Sequence, residues 1–247
     1  MEIGARIHRV KSCTSTNDLA KELALSGEEE GTVVISDEQT KGRGTKGRSW
    51  HSAPKKGLYL SSILYPPQPQ ISLIPLVAGL AANDAIFESA GIRIKLKWPN
   101  DLIWEKKKLG GILCESGFLG NKASYVIVGI GINLSHRRED FPEEIRSLAT
   151  SLELILKKHI DREEFLQKLL KALNNWYRLF QERRNEEIVR SFQAHSLLPL
   201  GKEIKLVTET EEVLGIYAGI DYDGGLILER EGNRMTFFSG EVREIMN

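Results

Sequence analysis

Cysteine is scarce in this 247-residue chain: there are two, Cys13 and Cys114, with no motif spacing between them. That excludes a disulfide framework or a cysteine-built metal site and points to a reducing compartment. Net charge is lacking as well, because 34 Lys and Arg balance 34 Asp and Glu. A neutral chain is not one held broadly on nucleic acid or an acidic membrane, although it can carry a local basic patch. The opening residues MEIGARIHRVKS hold no apolar secretory segment, and we expect no run of membrane-span length. These absences predict a soluble cytoplasmic protein with no membrane partner. What is present is a full core's worth of apolar residues, 41%, beside 28% charged. The length suits one large domain, or a large one with a small one.

Periodicity divides the chain. After a short first strand, residues 13–27 read as a helix, capped by Thr14 or Ser15, lined by Leu19 and Leu23 and stopped by Gly27. Residues 31–39 and 57–65 read as strands, and Leu73–Ala90 as a helix ended by Gly91. IRIKLKW (92–98), LGGILCES (109–116) and YVIVGIGINLS (125–135) read as further strands, with EKKK at a turn. Gly129 and Gly131 inside the last strand mark close approach of a ligand or another backbone. Residues 142–158 and 161–183 read as helical. The second stretch has a capping box at Asp161 and Glu164 and an apolar stripe of Phe165, Leu169, Leu173, Trp176 and Phe180. From Leu198 onward short strands are broken by DGG and EGN turns. We therefore expect a large domain over 1–197, which has to carry any catalytic site the motifs below define, and a small SH3-like β-barrel over 198–247.

The loop KGRGTKGRSW, Lys41 to Trp50, comes close to the phosphate-binding P-loop. A P-loop needs a helix directly after its glycines to hold the phosphates. Here loop and strand follow, and Arg48 stands at the lysine position, so that reading fails. Its three glycines suit close approach to a ligand, its arginines suit phosphate or carboxylate, and Trp50 offers a stacking surface. A plain solvated basic loop is the competing reading.

Other constellations are less specific alone. In KWPNDLIWEKKKLGGIL, Pro99 holds Trp98 extended and turns the chain before Asn100 and Asp101, residues that are often only turn formers. Lys108 leads into an apolar strand beside Gly110 and Gly111, where an inward charge is worth more than in water. Ser15 to Asn17 can be a helix cap, Gln39 a backbone partner and Cys114 a small core residue. GIGIN lacks the third glycine and the following helix of a dinucleotide site.

Taken in order, STN, EQTKGRG with GRSW, KWPNDL with KLGGIL, and VGIGINL resemble the biotin protein ligases. The matching segments run from Ser15 to about Ser151, and IYAGIDYDGGLIL with FSGEV resembles the family's terminal domain. The resemblance implies an α+β fold: a class II aminoacyl-tRNA synthetase-like mixed sheet backed by helices, with an SH3-like domain behind it. It implies ATP- and Mg²⁺-dependent formation of biotinyl-5′-AMP, then transfer to a lysine of a biotin carboxyl carrier protein. On this resemblance Ser15, Thr16, Asn17, Gln39, Gly42, Arg43, Gly111 and Leu113 bind biotin. Lys108 meets the biotin carboxylate and the α-phosphate and stabilises developing charge. Arg43 and Arg48 close over the phosphates. Trp50, Asn100 and Asn133 serve the adenylate, Asn133 by bonding adenine. Asp101 partners Mg²⁺ or orients the incoming lysine. A homodimer is the family expectation.

Two departures matter. Relatives carry an arginine where this chain has Thr45. Losing one charge-assisted hydrogen bond, about 1.5–3 kcal/mol, would loosen adenylate retention on the order of tenfold to a hundredfold unless Lys46 substitutes. Fourteen residues before Ser15 leave no room for a winged-helix domain, so no DNA binding is expected. A lipoate–protein ligase, an inactive biotin sensor and an RNA-binding protein are the competing classes. The KWPND segment and GRG loop favour biotin, and zero net charge weighs against RNA.

Overall fold

The computed structural model describes residues 2–67, 69–119 and 122–245. Its larger sheet has seven strands. They are β1 (Ile7–Val10), β2 (Val33–Ser36), β3 (Gly57–Leu64), β4 (Lys95–Lys97), β5 (Asp101–Trp104), β6 (Lys107–Leu119) and β7 (Lys122–Asn133). The order is β1-β2-β3-β7-β6-β5-β4. Only β1 and β2 run parallel; every other neighbouring pair is antiparallel. This is the mixed sheet that the resemblance implies.

Strand alternation sorts the residues onto two faces. Val33, Ile35, Leu58, Leu60, Val128 and Ile130 join the main core, which the helices α2 (Ile74–Ala90), α4 (Arg162–Gln181) and α5 (Asn185–His195) cover. Val34, Ile63 and Ile127 face the other way and meet Ala20 and Ala24 of α1 (Thr16–Leu25) in a smaller cluster. That second face also carries Gly111, Gly129 and Gly131 in register across β6 and β7.

Several elements depart from the sequence expectation. Asp101–Trp104 is a strand of its own, β5, reached through a cis Trp98–Pro99 peptide. The run 142–158 is not one helix. It is a 3₁₀ turn at Glu143–Ile145 and a short helix α3 at Leu152–Leu156. The reason is a backbone demand at Lys108. Past Asn133 the chain turns away, with Leu134 N–H donating to the Lys56 carbonyl, and residues 148–150 take the vacated place. Lys108 N–H donates to the Leu148 carbonyl at 2.7 Å, and Thr150 N–H to the Lys108 carbonyl at 3.0 Å. Helix α5 was not separated from loop by the sequence reading. The Asp161 cap forms, accepting from Glu164 N–H at 2.8 Å, but Glu164 itself pairs with Lys168.

Ile71–Ala90, against expectation, is long and apolar enough for a membrane span by composition alone. Two-thirds (67%) of that stretch is buried in the core. Its apolarity follows from being sandwiched between the sheet and helices α4 and α5.

The C-terminal region forms a second sheet of five antiparallel strands, β8 (Glu203–Val207), β9 (Glu212–Ile220), β10 (Leu226–Arg230), β11 (Asn233–Phe237) and β12 (Glu241–Ile245). Their order is β11-β10-β9-β8-β12. The expected barrel is not closed, since β11 and β12 end the sheet on opposite sides among the described residues. Asp221 shapes the turn before β10, its Oδ1 accepting from the Asp223 and Gly225 N–H groups. Buried Trp98 ties the two sheets together by donating its indole N–H to the Gly224 carbonyl at 3.0 Å.

Candidate functional site

Three glycines in register strip the side chains from one patch of the sheet, and the site lies in that trough. A narrow cleft opens above it. Neighbouring side chains, rather than a backbone, explain why glycine is needed. A Cβ on Gly129 would stand 2.2 Å from Asn17 Oδ1, and one on Gly131 would stand 2.7 Å from Trp50 Cε2. At Gly42 the constraint is a backbone, the Trp50 carbonyl standing 2.5 Å from where a Cβ would be.

The start of α1 forms one end of the cleft. Ser15 caps the helix, and Thr16 and Asn17 open its first turn, all three buried. Gln39 Oε1 accepts from Thr16 N–H at 2.8 Å and from the Thr16 hydroxyl at 3.1 Å, while its Nε2 donates to Ser52. Asn17 Nδ2 donates to the Leu113 carbonyl and to Glu115. Buried Ser61 lies 2.8 Å from Thr16 Oγ1 and 2.6 Å from Asn17 Oδ1, with one proton to give. Polar groups this enclosed stay fixed only when bonded, and here they bond one another into a preset donor and acceptor array.

Lys108 stands at the other end. Its Nζ pairs with Asp101 Oδ1 at 2.6 Å and lies 5.7 Å from the Trp50 ring centroid. Lys108, Asn100, Thr45, Ile112 and Leu113 line both this cleft and a second, larger one lying against the C-terminal sheet. Lys46, Arg48, Lys97 and Asp101 line the larger one. Asn100 braces the junction by donating its Nδ2 to the Ile112 carbonyl at 2.7 Å.

The glycine-rich loop bridges the clefts and is pinned at both ends. Arg43 is gripped by Glu115 and Asp18. Burial works against its charge, but those two carboxylates outweigh it and hold the guanidinium more firmly protonated. Arg48 pairs with Glu241 of the C-terminal sheet, and Lys46 donates to the Val207 carbonyl at 3.1 Å. Burial would raise the Glu241 carboxyl, but the Arg48 bond and charge prevail and pull it below the usual range.

The structure thus gathers Ser15, Thr16, Asn17, Gln39, Arg43, Trp50, Asn100, Lys108, Gly111 and Leu113 around the smaller cleft, with Arg48 and Asp101 in the larger. Trp50 lies on the floor of the smaller cleft, not in the larger. Asn133 stands apart: it is buried at the end of β7, and its Nδ2 donates to the Thr150 carbonyl at 3.0 Å. Sequence reasoning missed Ser61, Asp18, Glu115 and Glu241. A signal existed for one of them, since Glu115 is a carboxylate in the middle of the long strand β6. Among the described residues no three His, Cys, Asp or Glu side chains gather as a metal site.

A polar cleft that meets, beside Lys108, a wider cleft carrying Lys46, Arg48 and Lys97 fits a ligase that activates a small acid with a nucleotide. The comparisons agree. The chain belongs to the biotin/lipoate A/B protein ligase family, whose model matches residues 9–133, and the biotin protein ligase C terminal domain matches 200–243. It is 35% identical to the bifunctional ligase/repressor BirA of Bacillus subtilis over 93% of this chain and 71% of that one. It is 33% identical to the biotin–[acetyl-CoA-carboxylase] ligase of Paracoccus denitrificans, over 92% of this chain and 96% of that one. Among solved structures, the biotin protein ligase of Aquifex aeolicus in complex with biotin and ATP superposes with a TM-score of 0.84 at 35% identity. That match covers 97% of this chain and 98% of the other.

Proposed function

We propose that this chain joins biotin to a protein lysine in two ATP-dependent half-reactions. One observation carries the reading: Lys108 lies where a polar cleft at the head of α1 meets a wider cleft that carries Lys46, Arg48 and Lys97. In the first half-reaction a biotin carboxylate oxygen bonds the α-phosphorus of MgATP while the bond to the β-phosphate bridge breaks, releasing pyrophosphate. In the second, an ε-amine of a biotin carboxyl carrier protein attacks the acyl carbon. The acyl–phosphate bond then breaks, AMP leaves, and the amine gives up its proton.

Ser15, Thr16 and Gln39 meet the ureido head, and the glycine trough takes the rings. Lys108 offsets repulsion between the carboxylate and the α-phosphate, and Asp101 holds the lysine in place. Asp101 is also the group nearest to take the proton of the incoming amine or to touch Mg²⁺ entering with ATP. Arg48 and Lys46 face the larger cleft from a loop that the C-terminal sheet holds down. A covered loop keeps water from the activated acid. We place the domain boundary at 197/198, the protein in the cytoplasm, and its assembly as a homodimer.

The test is biotin-dependent ATP–pyrophosphate exchange, with lipoate as control. Exchange with biotin alone supports the reading. Exchange with lipoate alone moves the chain to the lipoate branch of its family, and exchange with neither refutes adenylate formation.

A further inference from the structure

Arg43 lines the smaller cleft and not the larger. Its Nη1 donates to Glu115 Oε1 at 2.8 Å, and its Nη2 donates to Glu115 Oε2 at 2.7 Å and to Asp18 Oδ1 at 2.6 Å. The bidentate fork is the geometry in which a guanidinium is most firmly oriented. The two carboxylates sit on different elements, Asp18 in the first turn of α1 and Glu115 on β6. Glu115 Oε2 also accepts from Asn17 Nδ2 at 2.7 Å, and Asn17 continues through Ser61 to Thr16.

We propose that Glu115 and Asp18 form a socket for Arg43 that holds the glycine-rich loop shut over the smaller cleft. Arg43 is then a strut, not a phosphate ligand, and Glu115 is a positioning residue. The inference rests on the ligase reading for what the loop encloses. Charge supports it. One guanidinium between two carboxylates leaves a net negative cluster, which repels a polyphosphate, whereas Lys46, Arg48 and Lys97 line the larger cleft and Arg43 does not. Connectivity supports it too. The carboxylate that grips the loop also holds the asparagine at the head of the pocket, so a ligand that orders the pocket steadies the closed loop.

The experiment compares wild type with Glu115→Gln, Asp18→Asn, Arg43→Gln and the Arg43→Gln/Glu115→Gln double variant. Three quantities are read: hydrogen exchange of the Gly44, Arg48 and Trp50 amides in the free protein, ATP affinity, and the release rate of adenylate formed in place. Each of these amides bonds within the loop, so its exchange reports opening. For a strut, each single change speeds loop exchange and adenylate release about tenfold, allowing for partial exposure, and leaves ATP affinity within about twofold. The double variant is no worse than Arg43→Gln alone. Glu115→Gln keeps an acceptor for Asn17, and Asp18→Asn repeats the test on another element should the first variant unfold. Unchanged loop exchange in the variants overturns the proposal. So does tighter ATP binding in Glu115→Gln, which would mean that a phosphate-binding arginine had been released. Loop exchange needs no turnover, so a wild type inactive in pyrophosphate exchange would fail the ligase reading while the strut was still tested.

Discussion

Gly129→Ala is the smallest change that tests how the site is built. The new methyl would stand 2.2 Å from Asn17 Oδ1 and 3.0 Å from its Cγ, so one of them must move. Asn17 is 3% exposed, and both ends of its amide are engaged. Rotating it away breaks bonds to Ser61, Glu115 and the Leu113 carbonyl, at about 1 kcal/mol each, and crowding adds about 1–3 kcal/mol. Partial relaxation leaves a destabilisation on the order of 2–4 kcal/mol. The same displacement disturbs Thr16 through Ser61, so biotin affinity should fall on the order of tenfold or more. Calorimetric titration of biotin and urea unfolding measure the two effects. Gly79→Ala is the control, because its nearest neighbour, Ile112 Cδ1, is at an ordinary 3.6 Å. Asn17→Ala added to Gly129→Ala should recover part of the stability without recovering affinity. A Gly129→Ala protein with unchanged stability and biotin affinity refutes the reasoning.

Lys108→Gln should slow biotin-dependent pyrophosphate exchange on the order of 10²–10³-fold, since it removes the cation at the cleft junction. A change under tenfold would take Lys108 out of the chemistry. Thr45→Arg should slow adenylate release on the order of tenfold or more by adding a charge-assisted bond at the junction of the clefts. An unchanged release rate means that Lys46 already fills that role. Buried His136 should make stability depend on pH. Burial, helped by the His51 charge, lowers it from 6.5 to about 4. Between those values the unfolded chain binds the extra proton, so stability is complete above pH 6.5 and falls by about 3 kcal/mol as pH drops through 4. Urea unfolding between pH 7 and 5 should show the loss beginning, and His136→Gln should flatten that slope. A wild type with no slope there contradicts the assignment.

Much was legible without coordinates. Of the two caps the sequence offered, Thr14 and Ser15, Ser15 opens α1, and Gly91 takes the left-handed φ of 70° that ends α2. The four motifs in order identified the family, and ten of the expected site residues do converge on one cleft. The misses share a cause. DLIW is too short for period alone to declare a strand, and only its pairing with β4 and β6 makes it one. The run 142–158 has helical texture, yet the unpaired backbone of Lys108 claims its middle residues. Trp50 followed the cleared floor of the sheet, which a loop motif cannot announce.

The sequence by itself determined the capped start of α1, the glycine stop of α2, the glycine-rich loop and the lysine that leads into β6. Those signals are local: a cap, a turn, a period, a charge entering an apolar strand. Tertiary structure alone decided that Gly111, Gly129 and Gly131 share one face and that Asn17 fills the space beside one of them. It also decided that Glu115, seventy-two residues away, receives Arg43. Register across β6 and β7 sets those distances, and register is settled by burial of the opposite face against α2, so no residue near either partner in the chain encodes it.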